Sequence, residues 1–579
     1  MKILGISCFY HDAAAAIVID GQLLAASSEE RFSRKKHDPE IPSGAVKYCL
    51  TRAGIEINDL DYIVFYDKPF LKFDRILTGY MATPFISYRP FLEAIPIWLR
   101  KKLWTEYIIR KELNFEGKML FLPHHLSHAA GTFYSSPFDK AAILTIDGVG
   151  EWANASFGIG NNNCVKLLRE MHYPHSVGLL YSAITYYLGF RVNSAEYKIM
   201  GLAPYGKPKY ADLIENNLVS IHDDGSIHLN MKYFTFHHGM TMTGKKIEKL
   251  FGQPRRKPET ELSSYHNDVA ASIQKVTEKI ILRMARHVKK ETGMDNLCMA
   301  GGVALNCTAN GLILKENLFK NIYIQPASGD AGGAVGAALY VHHKLTGDNK
   351  RKQPFFNLGP EYSDDEIFRF LNKHSIPYIK NDNISPARLV ADEIAQGKIV
   401  GIFQGPAEFG PRALGFRSIL ADPRDNRMKE KINAAVKYRE PFRPFAPAVM
   451  IEHAREYFEC DENAYPFMLF NFKVHKNKRK IIPAVTHVDN SSRIQTVSPK
   501  DNPVFHSILR EFKDLTGVAV VLNTSFNLRG HPIVNTPEDA FATFCSGGID
   551  ILLLGSYIIN KKAITEELNN KFRFEKADD

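Results

Sequence analysis

The chain has 579 residues, of which 45% are hydrophobic and 23% charged, and its formal net charge is +10. A single hydrophobic core rarely serves a chain of this length, so an ordinary globular protein with two large domains or several smaller ones is expected. The mild positive charge argues against a dedicated binder of duplex DNA and favours ligands that carry phosphate.

Cysteine spacing and the amino terminus indicate the compartment. The seven cysteines show no CxxC spacing, which argues against a disulfide framework or a zinc ribbon. The first apolar run is interrupted by His11 and Asp12, and no cleavage-site pattern follows it, so no secretion signal is expected. Since no run of about 18 apolar residues occurs, we expect a cytoplasmic protein without a membrane span.

The first elements of the chain follow a plan that recurs about 140 residues later. The strand-like "KILGISC" precedes a predicted hairpin that turns at Asp20-Gly21. From Ala141 the chain again has an apolar strand, a polar turn and a hairpin. The pattern predicts a duplicated unit, although chance recurrence of hairpins stays an alternative. In folds built from two such halves, the turns after the first strands face each other across a nucleotide cleft.

Between the two copies lies "LPHHLSHAAGTFY", in which His124 and His128 are one helical turn apart. Side chains at this spacing share a helix face about 5–6 Å apart, so both rings can reach one metal ion. His125 occupies the position where a zinc-protease motif has glutamate. The motif by itself leaves two alternatives, a metal site or a cluster of surface imidazoles.

Apolar residues at helical spacing predict a long helix between 263 and 293. Two strand–glycine–helix joints follow, at "AGGVALN" and "ASGDAGG". Glycines at such joints let backbone N–H groups approach phosphate at a helix amino terminus, although tight packing of helix on strand also explains them. Two joints in succession after the duplicated plan favour a nucleotide cleft.

A polar segment, 349–360, predicts a linker between a first domain, 1–348, and a second domain, 361–579. Between Gly410 and Pro447 there are nine Lys or Arg against four Asp or Glu, interleaved with Gly and Pro. A basic cluster on loops suits several phosphate groups, and a surface salt-bridge network is the alternative. Farther on, "LNTSFN" places amides and hydroxyls after an apolar strand, where they can fix a ligand.

Several motifs together resemble the O-carbamoyltransferases of the NodU/CmcH family: "HHLSHAA", "AEYKIMGLAPYGKP", "AGGVALN", "EFGPRALGFRSILADPR", "KYREPFRPFAP", "PAVTHVD" and "LNTSFN". The resemblance runs in family order from near residue 3 to near residue 560. It implies an α/β protein with a duplicated actin/Hsp70/sugar-kinase-like (TsaD-like) domain followed by a YrdC-like α/β domain. The chain departs from the family at Pro406, where a basic residue is common, and at Phe416, where Asn is common.

The resemblance also implies a reaction. Carbamoyl phosphate and ATP, the latter with Mg(II), give a carbamoyl-adenylate on the YrdC-like domain, and the carbamoyl group then passes to a hydroxyl of a sugar or natural product. The cations of the second domain suit this chemistry because they neutralise phosphate and pyrophosphate. The residues implied there are those of the KxR and SxN elements, with the surrounding arginines: Lys437, Arg439, Ser525, Asn527, Arg412, Arg417, Arg443 and Arg493.

In the first domain the resemblance implies a metal site at His124, His128, Asp147 and Asp330. Two imidazoles and two carboxylates suit Fe(II), Mn(II) or Zn(II), and the resemblance favours iron, which would hold the adenylate phosphate. His125 is expected to be structural. The nucleotide contacts implied lie at the first glycine joint and upstream of it: Gly301, Gly302, Val303, Asn306, Lys198 and Gly201.

Transfer to the acceptor needs a base, and His11 is the candidate, with Asp12 orienting it or the acceptor. A turn residue that hydrogen-bonds backbone is an equal alternative for His11.

The segment 80–113, rich in aromatic and basic residues, matches no motif. Three alternatives are open for this segment: a lining of the acceptor site, contact with a membrane surface, or core packing with a solvated basic edge.

Two further functions stay open. One is a threonylcarbamoyl-type tRNA-modifying enzyme with the same two domains. The sequence has no obvious basic stripe with interleaved aromatic residues, which argues against this function, so no nucleic-acid partner is expected. The other is a non-catalytic ATP-dependent sensor or chaperone, which leaves the basic cluster unexplained.

Overall fold

The computed structural model describes residues 1–349, 353, 355–380, 384–437 and 439–574. The chain divides into two compact units, Met1–Glu29 with His37–Pro354, and Glu30–Lys36 with Phe355–Asp579. A short segment near the amino terminus therefore belongs to the second unit. Within the predicted linker 349–360, residues 350–352 and 354 lie outside the described residues.

The first unit contains two five-stranded sheets of one design. Its strands are β1 (Lys2–Ser7), β2 (Ala14–Ile19), β3 (Gln22–Ser28), β4 (Tyr62–Phe65), β5 (Lys118–Phe121), β6 (Lys140–Ile146), β7 (Ala153–Asn161), β8 (Cys164–His172), β9 (Val219–Ile221), β10 (Ile227–Leu229), β11 (Asn296–Ala300) and β12 (Asn321–Ile324). The sheet orders are β3-β2-β1-β4-β5 and β8-β7-β6-β11-β12. Each has three antiparallel strands and then two parallel ones, so the predicted duplication is confirmed.

The hairpin turns form where the sequence predicts them. Asp20 and Gly21 have φ values of 47° and 80°, which is the left-handed conformation that a tight hairpin turn requires. Asn162 adopts φ 51° in the corresponding turn of the second sheet. Residues that tolerate this conformation therefore set the register of both hairpins.

The described helices, in chain order, are α1 (Glu30–Ser33), α2 (Ser43–Ala53), α3 (Pro69–Met81), α4 (Pro84–Arg100), α5 (Thr105–Leu113), α6 (His124–Ser135), α7 (Val177–Tyr187), α8 (Glu196–Leu202), α9 (Ala211–Asn217), α10 (Lys245–Phe251), α11 (Ser264–Thr292), α12 (Cys307–Lys315), α13 (Asp330–Thr346), α14 (Asp364–Lys373), α15 (Pro386–Ala395), α16 (Met428–Ile432), α17 (Ala454–Tyr457), α18 (Pro503–Thr516), α19 (Pro537–Ser546) and α20 (Glu566–Phe572). The long helix predicted between 263 and 293 is α11. Within the part of the chain that the structure describes, no helix is long and apolar enough to cross a bilayer.

Glycines bring helices α6 and α13 into backbone contact. A Cβ atom on Gly336 of α13 would lie 1.8 Å from the carbonyl oxygen of Ser127 in α6. A Cβ atom on Gly5 of β1 would lie 1.9 Å from the carbonyl oxygen of Ala334. Only glycine permits these approaches, which place α13 against α6 on one side and against β1 on the other.

The second unit is built on a seven-stranded mixed sheet of order β18-β15-β19-β14-β13-β20-β21, with β16 and β17 as a separate pair. Its strands are β13 (Val400–Phe403), β14 (Arg417–Ala421), β15 (Ala446–Met450), β16 (Asn471–Lys473), β17 (Ser491–Arg493), β18 (Gln495–Val497), β19 (Val520–Ser525), β20 (Ile551–Leu554) and β21 (Tyr557–Asn560). Both units are α/β, which confirms the predicted fold class: a duplicated α/β domain followed by a second α/β domain.

Candidate functional site

Four predicted metal ligands converge in the first unit. His124 and His128 lie in the first turns of α6, Asp147 follows β6 directly, and Asp330 is the first residue of α13. Their ligand atoms all lie within 4.8 Å of one another, and only Asp147 is more than slightly exposed. Helix packing through glycine therefore assembles residues that are more than 200 positions apart in sequence.

The spacing of these donor atoms fits one metal ion. Nε2 of His124 lies 3.0 Å from Oδ2 of Asp147 and 3.1 Å from Nε2 of His128. Both imidazole Nε2 atoms lie 3.7 Å from Oδ1 of Asp330. Four ligands about 2.0–2.2 Å from one ion stand about 3.3–3.6 Å apart in a tetrahedron. Two nitrogen and two carboxylate donors suit Fe(II), Mn(II) or Zn(II).

Opposite charges are balanced within this cluster. Burial raises the pKa of the Asp147 carboxyl, but hydrogen bonds from His124 and His128 outweigh it and hold the pKa well below its usual range. Burial lowers the pKa of His128, yet its bonds to Asp147 and Asp330 raise it to about 9. The carboxylates thus create a site with strong preference for positive charge.

Neighbouring side chains fix the ligands. Tyr66 donates its hydroxyl to Oδ2 of Asp330 at 3.2 Å. The backbone N–H of His124 donates to both carboxylate oxygens of Glu151, at 2.9 and 3.1 Å, and anchors the start of α6. Nδ1 of His125 lies 2.7 Å from the hydroxyl of Thr145, and burial lowers the pKa of His125 to about 3. His125 is accordingly buried and neutral, and its ring is held by Thr145.

A hydrogen-bonded chain connects His11 to residues on other loops. Nδ1 of His11 lies 2.9 Å from Oδ2 of Asp12, and the second oxygen of Asp12 lies 2.7 Å from Nδ1 of His37. Nε2 of His37 lies 3.2 Å from the hydroxyl of Ser194. On its other side, Nε2 of His11 is 3.9 Å from Oδ2 of Asp330, so His11 borders the predicted metal cluster.

The first glycine joint contacts the same cluster. Gly301 has φ 91°, and a Cβ atom there would lie 2.2 Å from the carbonyl oxygen of Ile146. The N–H of Gly302 donates to Oδ1 of Asp147 at 3.0 Å. Val303 lies in the 3₁₀ turn that follows, and the side chain of Asn306 caps α12 by accepting the N–H of Ala309. The joint and the cluster therefore share Asp147.

Lys198 and Gly201 lie on α8, and both are buried. The Lys198 ammonium is 5.6 Å from the centre of the Phe190 ring. Helix α8 reaches α12 where Sγ of Cys307 lies 3.7 Å from Sδ of Met200. Lys198 and Gly201 are thus on a helix that contacts α12, the helix that follows the glycine joint.

In the second unit, Lys437 meets both residues of the SxN element. It ends a π-helical turn, Asn433–Lys437, and its ammonium donates to the carbonyl oxygen of Ser525. It also donates to the carbonyl and side-chain oxygens of Asn527, each at 2.9 Å. Burial, followed by repulsion from Arg439, Arg443 and Lys36, holds the pKa of Lys437 well below its usual range.

Sheet topology gathers the predicted basic residues at one edge. The start of β14 pairs with the end of β19, where Ser418 opposes Ser525. The start of β15 also pairs with the end of β19, and β18 runs parallel to β15. The segments that enter β14, β15 and β18 therefore meet the loop that leaves β19. In those segments and that loop, or at the strand ends beside them, lie the following residues: Arg412, Arg417, Arg443, Arg493, Ser525 and Asn527.

The arginines at this edge have different surroundings. Arg417 is completely buried, stacks 3.6 Å from the centre of the Phe403 ring, and donates to carbonyl oxygens of residues 360, 404, 405 and 416. Nε of Arg439 donates to Oδ1 of Asn433 at 3.0 Å. Nη1 of Arg443 lies 3.6 Å from Glu440. Arg412 and Arg493 are half-buried.

Sequence reasoning missed three residues of the first unit: His37, Tyr66 and Glu151. The fold, and no sequence motif, brings each of them to a predicted residue. His37 contacts Asp12, which is 25 positions away, and Tyr66 contacts Asp330, which is 264 positions away. Glu151 lies four residues after Asp147, and its closeness to that predicted ligand was the one available signal.

Two family descriptions match most of the chain. Residues 2–339 match the family model described as Carbamoyltransferase N-terminus, and residues 391–561 match the model described as Carbamoyltransferase C-terminus.

Full-length relatives agree with this match. The chain is 49% identical to an uncharacterised protein of Synechocystis, over 97% of each chain. It is 38% identical to the nodulation protein NolNO of Sinorhizobium fredii, over 96% of this chain and 80% of that protein. Among solved structures, component A of the Acidaminococcus fermentans (R)-2-hydroxyglutaryl-CoA dehydratase is 16% identical, over 59% of this chain and 98% of that one, with a TM-score of 0.33. A TM-score at this level supports no functional inference.

Proposed function

Since this chain belongs to the carbamoyltransferase family, we propose that it is an ATP-dependent O-carbamoyltransferase that makes carbamoyl-adenylate and transfers the carbamoyl group to a hydroxyl of a sugar or natural product. The observation that carries this proposal is the meeting of Lys437 with Ser525 and Asn527 at a sheet edge that gathers arginines. A second observation, the four-ligand cluster beside His11, supplies a separate centre for transfer.

The first half-reaction is assigned to the second unit. Water cleaves carbamoyl phosphate to carbamate and inorganic phosphate. A carbamate oxygen then attacks the α-phosphorus of ATP and displaces pyrophosphate, which leaves carbamoyl-adenylate. Lys437 and the arginines at the sheet edge neutralise the charge that collects on phosphate and pyrophosphate. Arg417, whose guanidinium is held by carbonyl oxygens, orders the loop that carries Arg412.

The second half-reaction is assigned to the first unit. The acceptor hydroxyl attacks the carbamoyl carbon, the bond to the adenylate oxygen breaks, and AMP leaves. Burial lowers the pKa of His11, but Asp330 and Asp12 raise it to about 9. The unprotonated form of His11 takes the hydroxyl proton at Nε2, while Asp12, itself contacted by His37, holds the orientation of the ring through Nδ1. The glycine joint at 301–306, whose Gly302 N–H donates to Asp147, is assigned to contact the nucleotide.

His124, His128, Asp147 and Asp330 would hold a divalent metal ion, and iron is the ion that the family resemblance favours. When bound, such an ion acts as a Lewis acid that stabilises negative charge on phosphate.

The test is pyrophosphate release by the purified full-length protein with ATP and Mg(II). Release that depends on added carbamoyl phosphate, with inorganic phosphate and carbamoyl-adenylate formed in equal amounts, is the expected result. Release that depends on threonine and bicarbonate instead would favour the tRNA-modifying alternative. ATP cleavage that is indifferent to both would overturn the proposal.

A further inference from the structure

Helix α4 exposes large apolar side chains on the surface of the first unit. Phe85 is 99% exposed, Tyr88 63%, Leu92 51% and Leu99 52%. These positions are separated by three, four and seven residues, so they fall on one side of an α-helix. We call these four side chains the apolar stripe. A contiguous exposed stripe of this kind marks an interaction surface in most folded proteins.

The helix is firmly attached by its opposite side. Ser87, Pro90 and Trp98 of α4 are buried on that side, and Ile95 is buried at the edge of the apolar stripe. The Trp98 ring lies 5.8 Å from that of Phe73 in α3. Since one side of α4 is packed, exposure of the apolar stripe is a property of the folded unit and not of a detached helix.

Positive charge borders the apolar stripe. Arg89 and Arg100 are eleven residues apart, close to three full turns, so they align along the helix next to the stripe. Both are exposed, and neither makes an ion pair among the described residues. Glu93 is the acidic residue of α4. Over 80–113, six Lys or Arg stand against three Asp or Glu.

We propose that α4 docks the first unit on an anionic phospholipid bilayer, with the apolar stripe in the headgroup boundary and Arg89 and Arg100 on lipid phosphates. An amphipathic helix with aromatic residues on one side and cations beside them lies in the plane of a membrane surface. The excess of Arg89 and Arg100 over Glu93 on α4 favours anionic headgroups as the occupant, because lipid phosphates neutralise cations beside the apolar stripe.

The experiment is co-flotation of the full-length protein with vesicles. Vesicles of phosphatidylcholine are compared with vesicles that also contain phosphatidylglycerol. We expect the protein to float with the anionic vesicles and to remain below the neutral ones. A Phe85→Ser, Leu92→Ser variant should bind anionic vesicles at least about tenfold more weakly, and Arg89→Gln and Arg100→Gln about fivefold each.

Matched controls come from the same unit. A Leu168→Ser, Leu345→Ser variant changes two leucines that are 42% and 49% exposed, and Arg52→Gln removes an exposed arginine of α2. Both controls should float like the wild type, and all variants should keep the wild-type thermal midpoint because the altered side chains are exposed.

Two outcomes overturn the proposal. One is a wild-type protein that fails to float with anionic vesicles. The other is a concentration-dependent dimer in analytical ultracentrifugation that the Phe85→Ser, Leu92→Ser variant abolishes while vesicle binding stays unchanged, which would assign the stripe to a second copy.

Discussion

Two imidazole nitrogens, Nε2 of His124 and Nε2 of His128, lie 3.1 Å apart with two carboxylates beside them. Buried polar atoms are costly without a partner, and one divalent cation can bind all four of these ligand atoms at once. We expect about one metal ion per chain in protein purified without chelator. A His124→Ala, His128→Ala variant should lose the ion, as measured by elemental analysis.

Replacing an exposed histidine provides the control for this measurement. His172 is 58% exposed and pairs with Glu170, so His172→Ala should retain the full metal content. Equal metal content in the double variant and in His172→Ala would show that the ion is bound elsewhere.

Lys437 is the residue whose protonation should follow anion binding. Burial and cationic neighbours lower the pKa of Lys437. In protein without ligand, this amine therefore loses its proton at a lower pH than an ordinary lysine does. An anion favours the protonated form, so binding takes up a proton and weakens as pH rises through the lowered pKa. Calorimetric titration with pyrophosphate, in buffers of different ionisation enthalpy, measures this uptake.

A neutral replacement separates Lys437 from the cations around it. Lys437→Met should abolish the proton uptake and pyrophosphate release, while leaving the metal content of the first unit unchanged. Lys476→Met, on an exposed loop of the same unit, should behave as the wild type in both measurements. Unchanged proton uptake in Lys437→Met would assign the titration to another group.

At the scale of elements, the contact of α6 with α13 decides whether the predicted metal ligands meet. A Cβ atom on Gly336 would lie 1.8 Å from backbone of α6, so Gly336→Ala forces the helices apart. Overpacking of this kind costs about 1–3 kcal/mol or more, which lowers the thermal midpoint. Because the displaced helices carry His128 and Asp330, metal affinity should fall as well.

Gly79 is the matched control because it also lies inside a helix, α3, and a Cβ atom there would meet its nearest atom at an ordinary 3.6 Å. Gly79→Ala should stabilise the protein slightly, by about 0.5–1 kcal/mol, through helix propensity. A thermal midpoint for Gly336→Ala equal to that of Gly79→Ala would show that α6 and α13 adjust without strain.

Elements with local signals were predictable from the sequence, and contacts between distant segments were not. The turn at Asp20-Gly21 and helix α11 follow from residue preference and helical period. No local rule shows that residues 30–36 join the second unit, or that His37 pairs with Asp12. The apolar stripe was ambiguous, since its sequence also fits a buried helix, and only the packing of α4 distinguishes the two.

The same reasoning applies to the basic edge of the second unit. Nine cations in a loop-rich stretch indicate an anion pocket, but the sequence treats all arginines alike. The fold distinguishes them, because β14 buries Arg417 among carbonyl oxygens while Arg412 and Arg493 stay half-buried. Residue types therefore predict an anion pocket, and the different surroundings of its arginines depend on strand register.

At the scale of the whole molecule, the proposed function assigns its two half-reactions to different units, so mutation should separate them. Lys437 and the basic edge lie in the second unit, whereas His11 and the metal cluster lie in the first. A variant of one centre should therefore stop one step and leave the other measurable. Pyrophosphate release reports the first step, and conversion of carbamoyl-adenylate to AMP reports the second.

His11→Asn is the decisive variant because asparagine keeps a polar group at the turn but cannot accept a proton at neutral pH. We expect wild-type pyrophosphate release in a single turnover, followed by accumulation of carbamoyl-adenylate. Transfer to an acceptor hydroxyl, or slow transfer to water where no acceptor is supplied, should fall by roughly two to four orders of magnitude, the range for loss of a positioned general base. His172→Asn, an exposed histidine, should leave both steps unchanged. Near-normal AMP formation in His11→Asn would leave His11 as a turn residue and move the base to another group beside Asp330.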